Sequence, residues 1–135
     1  MRCSIGSRDY FLFGMRLAFG IWLLYVGLFK WFGMGPTAFV GFISSDFEKT
    51  WSPAALNTAL AWLILLAEPV AGLLLLAGIR PRLSWSLTAL LMFLLVIGQT
   101  MLMKPDVIAN WQYFVLTLVC AALSEESNTD AERAS

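Results

Sequence analysis

Residues 53–78 run PAALNTALAWLILLAEPVAGLLLLAG, and the reading of this stretch decides the fold. A helix needs about 20 mainly apolar residues to cross a hydrocarbon core, and residues 53–77 supply them. One carboxylate, Glu68, stands inside the run, with Pro69 directly after it. The rest of the chain has the same character. Of its 135 residues 59% are hydrophobic and 13% charged, and the mean hydropathy is +0.75. Soluble domains carry roughly 45–50% apolar and about 25% charged residues. This composition excludes an ordinary soluble globule and a disordered chain. Nine basic residues balance nine acidic ones, so the basic footprint of a nucleic-acid binder is missing.

Three further segments qualify as spans: residues 10–32, 83–103 and 107–123. The expected fold is therefore all-α, an integral membrane four-helix bundle over residues 1–123, followed by a loose polar tail, 124–135. Arg2 and Arg8 precede the first run as the basic region of a signal peptide would. The run continues to about Phe32 and no A-x-A site follows, so it reads as a retained helix. Ser52 before Pro53 predicts an N-cap with proline at the first helical position. Gly78 closes the second span, Pro81 opens the third, and Pro105–Asp106 separates the third from the fourth.

Lys and Arg near the helix ends predict the orientation. Arg2, Arg8, the turn residues Arg80 and Arg82, and Arg133 fall on one side; Lys30, Lys49 and Lys104 fall on the other. The larger group marks the cytoplasmic face of an inner (cell) membrane, with both termini cytoplasmic. The loop 33–52 lies on the outer side. Within it Phe39, Val40, Ile43 and Phe47 recur on one helical face, flanked by Trp31 and Trp51, which predicts an interfacial helix over the outer mouth of the bundle.

The chain has no histidine, and its two cysteines, Cys3 and Cys120, form no C-x-x-C pair. Histidine-based metal or haem sites, a Ser-His-Asp triad and a thiol relay are excluded with them. No metal site and no self-contained catalytic motif is expected, and Cys120 reads as structural. The informative residues are instead the charged groups inside the spans, because each costs about 2.5–3.5 kcal/mol to insert at a helix centre. Arg16 and Glu68 are expected at depths about one turn apart, roughly 5–6 Å, which predicts an Arg16–Glu68 ion pair between the first two spans. The alternative is that Arg16 reaches the headgroups and Glu68 is protonated or hydrogen-bonded as packing glue. Pro69 leaves the carbonyl of Leu65 in need of another donor. Gly14, Gly20 and Gly27, with Ala67, Ala71 and Gly72, mark close helix contacts.

A second polar layer lies near the outer interface: Lys30, Trp31, Gln99, Asn110, Gln112 and Tyr113. Donors and aromatic rings converging under a loop helix suit the carbonyls and ring of a quinone, or contacts to a partner subunit. The same residue types also make an ordinary interfacial belt.

The segments Arg16, Gly20, Gly27-Leu28-Phe29-Lys30-Trp31, and Glu68-Pro69-Val70-Ala71-Gly72 through Gly78, Arg80 and Arg82 resemble the DoxX family. The resemblance covers about Arg16 to Leu123. It implies a small four-helix membrane protein, related to the membrane subunit of thiosulfate:quinone oxidoreductase. The function it implies is that of a membrane subunit of a quinone-linked oxidoreductase complex, with a sulfur compound as a donor. The alternative is a non-catalytic accessory or assembly subunit of a larger respiratory or photosynthetic membrane complex. On either reading the partners are the lipid bilayer and other membrane subunits, and quinone is the one cofactor implied. Arg16, Lys30, Glu68 and Arg82 are the positions the resemblance singles out.

Overall fold

The computed structural model describes the backbone of residues 7–102 and 107–134, and the side chains of residues 7–102 and 110–124. Arg2, Cys3, Lys104 and the Pro105–Asp106 turn lie outside the described residues, as does the side chain of Arg133. Helix α1 (Ser7–Leu28) continues into a π-helical turn (Phe29–Met34). A short α2 (Pro36–Phe47), then α3 (Ala54–Ala77), α4 (Pro81–Met101) and α5 (Val107–Ala134) follow. The rod Ser7–Met34, α3 and α4 are each long and apolar enough to cross a membrane, while the apolar part of α5, Asn110–Ser124, is shorter. The chain is an all-α membrane bundle with a short helix between its first two long ones. Leu63, Leu66, Val70 and Leu73 on α3 stay about half exposed. Such an apolar stripe suits acyl chains and would be an aggregation site in water.

The long helices pair α1 with α3 and α4 with α5, and α3–α4 and α1–α5 contacts close the bundle. Phe19, Leu23, Leu75, Trp85, Met92 and Cys120 form its centre. The α1–α3 seam is the tightest part. A Cβ on Gly72 would stand 2.7 Å from the Leu24 nitrogen, and one on Gly27 would stand 2.7 Å from Pro69 Cδ. The two backbones are in contact there, as small residues at membrane helix interfaces permit. Gly14 is not part of the seam, because nothing lies within 4 Å of where its Cβ would be.

Several boundaries differ from the sequence reading. Pro53, not Ser52, occupies the N-cap of α3, with extended backbone (φ −62°, ψ 135°). The Asn57 amide donates to the Pro53 carbonyl at 3.1 Å, which starts the helix at Ala54. The Ser52 hydroxyl donates to Asn57 Oδ1 instead. Gly78 ends α3 in the left-handed region (φ 67°) with its N–H on the Leu74 and Leu75 carbonyls, and Pro81 opens α4. The tail is not loose: α5 runs on to Ala134. No Gly or Pro occurs after residue 105, and the tail is rich in Glu and Ala, which favour helix continuation.

Candidate functional site

The intramembrane charges are arranged by the α1–α3 register. Gly20 lies against Gly72 and Leu76, and Gly27 against Pro69. Arg16 and Lys30 lie on either side of these glycine contacts, Arg16 towards the C-terminal end of α3 and Lys30 towards Glu68. Arg16 Nε donates to the Leu75 carbonyl at 2.9 Å. The guanidinium also packs against Gly78, whose Cβ, if it had one, would stand 2.5 Å from an Arg16 nitrogen. Arg16 thus serves the open carbonyls and negative dipole at the C-terminus of α3. The expected Arg16–Glu68 pair does not form. The seam sets Arg16 against Leu75 and Gly78, two to three turns beyond Glu68, while both Glu68 oxygens are taken by Lys30.

Lys30 takes that role. Its Nζ lies 2.5 and 2.6 Å from the two Glu68 oxygens. Glu68 is 3% exposed and the Lys30 side chain 16%, so the pair is withdrawn from solvent and each charge neutralises the other. The ammonium also stands 4.7 Å from the centre of the Phe39 ring on α2, a favourable position for a cation over a π face. Next to this pair, Trp31 Nε1 donates to the Leu65 carbonyl at 3.1 Å. Leu65 is the residue whose carbonyl loses its usual partner because Pro69 has no N–H. Two consecutive residues of the π-helical turn therefore serve the two polar needs that Glu68 and Pro69 create. In an α-helix neighbours point about 100° apart; the wider π turn brings Lys30 and Trp31 round to the same facing helix.

Beside the pair, a cavity of about 390 Å³ opens between α2, α3 and α4. Phe39, Phe47 and Trp51 supply aromatic walls, and Lys30, Asn57 and Gln99 supply polar groups. The helix over it is the one expected in the first long loop, with Phe39 and Val40 buried on the predicted face. Of the residues anticipated as quinone or partner contacts, Lys30 and Gln99 line this cavity. Trp31 and Asn110 do not line it: Trp31 donates to the Leu65 carbonyl and Asn110 to Gln99 Oε1. Gln112 and Tyr113 are elsewhere. Tyr113 packs on Trp22 and Phe19 of α1, on the side of α5 turned to α1, and neither it nor Gln112 lines the cavity. Arg80 and Arg82 are exposed at the opposite end of the bundle, where Arg80 precedes α4 with a left-handed backbone (φ 45°). Asn57 and Phe39 were not anticipated in the site. A lone Asn in an apolar run is the signal that marks the former, whereas the latter depends on how α2 folds back.

Among the described residues no group of His, Cys, Asp and Glu is placed to hold a metal ion. No curated protein and no solved structure matches the chain. A family model does match, over residues 8–110, and its description is methylamine utilisation protein MauE. It spans α1 to the start of α5 and so includes Arg16, Lys30, Glu68 and the cavity. This match overturns the DoxX assignment: glycine, Lys and Glu-Pro landmarks in apolar helices are too sparse to separate one small membrane bundle from another. The chain belongs to the family of the methylamine utilisation protein MauE.

Proposed function

We propose that the protein is a membrane accessory component of a methylamine utilisation system, lending a bundle to a multi-protein assembly rather than a reacting group. The observation that carries this reading is how the ionisable groups inside the bundle are used. Lys30 and Glu68 are spent on each other, and Arg16 on the end of α3. The chain has no histidine and no C-x-x-C pair to supply a histidine-based metal site or a thiol relay of its own. In this reading the exposed aromatic side chains of α1 and α5, such as Tyr25 and Trp111, face lipid or partner subunits. The Arg-rich end, with Arg80 and Arg82, faces the cytoplasm of the cell membrane together with both termini.

The test is deletion of the gene in its host, with growth on methylamine as the sole nitrogen source, alongside native purification in mild detergent and mass spectrometry. Loss of growth on methylamine but not on ammonium, with other subunits co-purifying, is the expected result. Unimpaired growth on methylamine and a chain that always purifies alone would overturn the proposal.

A further inference from the structure

We propose that the cavity between α2, α3 and α4 binds an uncharged, lipid-soluble ring with oxygen acceptors at its edge, of the quinone class, using Lys30, Asn57 and Gln99 as donors. This goes beyond the accessory role and does not depend on it, since an isolated bundle with an intact cavity would still bind.

The size suits such a ligand: about 390 Å³ falls within the range of roughly 300–1,000 Å³ typical of small-molecule sites. The charge balance narrows the class. Both oxygens of Glu68 are taken by Lys30, so this end of the cavity carries a closed ion pair. An anionic headgroup would meet Glu68 directly behind Lys30, and a cation would meet Lys30 first. A neutral acceptor meets neither penalty. The ammonium has three N–H donors and Glu68 accepts two, which leaves one for a carbonyl oxygen.

The other donors come from different walls. Asn57, at the start of α3, is buried and receives the Ser52 hydroxyl on its oxygen. Its Nδ2 makes only a long 3.4 Å contact to the Ser52 carbonyl, so a second amide hydrogen remains. Gln99, on α4, has its oxygen engaged by Asn110, which leaves its NH₂ as the group to donate. Three donors with no matching set of acceptors describe a ligand rich in carbonyl oxygens. Phe39, Phe47 and Trp51 give flat apolar surface for a ring. An ordinary acyl chain would use the apolar walls and leave all three donors unanswered.

The test is photolabelling of the full-length protein in lipid nanodiscs with an azido-ubiquinone, mapped by mass spectrometry. Decylubiquinone and oleate serve as competitors. Saturable labelling of peptides carrying residues 39–47 or Gln99, displaced by decylubiquinone and not by oleate, is expected. Gly98 lines the cavity, and a Cβ there would lie 3.5 Å from Phe47 Cζ. Gly98→Leu should fill the space and abolish saturable labelling. Gln99→Leu should weaken it about tenfold, the loss of one good hydrogen bond. If Gly98→Leu does not fold, Ile43→Trp fills the same cavity from α2. Labelling spread along the lipid-facing helices, equal displacement by oleate, or labelling unchanged in the filled variant would each overturn the proposal. None of these outcomes bears on growth with methylamine or on co-purifying subunits.

Discussion

Lys30 closes on both oxygens of Glu68 at 2.5 and 2.6 Å, and its neighbour Trp31 closes on the Leu65 carbonyl that Pro69 leaves open. One π-helical turn of the first span thereby answers a charge and a broken backbone hydrogen bond on the second. The joint sits where Gly27 lets the two backbones touch. Through Lys30 it also reaches the cavity under α2. Packing, polar satisfaction and the candidate ligand site are thus controlled by the same few residues.

Trp31→Phe keeps the ring and removes the indole N–H. The Leu65 carbonyl is then buried without a donor, a loss of about 1–3 kcal/mol. Pro69→Ala restores an N–H four residues after Leu65, so Trp31→Phe should cost less in the Pro69→Ala background than in the native one. Reversible unfolding in mixed micelles measures both, and equal costs in the two backgrounds would refute the assignment.

Gly72→Ala should destabilise by about 1–3 kcal/mol, because its methyl would press on the α1 backbone, which has no room to yield. Gly14→Ala is the matched control. Nothing lies within 4 Å of its Cβ, so the gain in helix propensity, about 0.5–1 kcal/mol, should appear unopposed. Thermal melts of the two variants should move in opposite directions.

Arg16→Met should cost about 1 kcal/mol through loss of the hydrogen bond and charge at the α3 C-terminus. Combined with Glu68→Gln it should be additive, since the two groups lie two turns apart in the register and share no partner. Coupling between them in unfolding measurements would restore the Arg16–Glu68 pair.

Much of this architecture was legible from composition alone. Apolar runs of span length bounded by Ser-Pro, Gly and Pro could be read as membrane helices without any knowledge of packing. The short α2 was visible in the periodicity of Phe39, Val40, Ile43 and Phe47. The orphaned Leu65 carbonyl followed from Pro69, and the need for a new donor followed with it. What failed was depth. The contacts of Gly20, Gly27 and Gly72, not the ends of the apolar runs, set how α1 lies along α3. A register set by Gly20, Gly27 and Gly72 cannot be counted from helix ends, so Glu68 was given the wrong partner. The π-helical turn had no signature in FKWFGM that distinguishes it from α-helix. The cavity depends on where α2 folds back, and Gln112 and Tyr113 were misplaced because nothing local says which side of α4 the last helix takes. The tail 124–135 misled because polar composition was read as looseness, although it holds no helix breaker.

The most direct test of the central claim is a double-mutant cycle on Lys30 and Glu68, read by reversible unfolding in mixed micelles. Lys30→Met alone leaves a buried carboxylate, and Glu68→Leu alone leaves a buried ammonium. Each should cost about 3–5 kcal/mol. The double variant replaces the pair with apolar groups and should return close to wild-type stability, so the coupling energy is predicted to be several kcal/mol. Additive losses, with the double variant as unstable as the two singles together, would contradict the account.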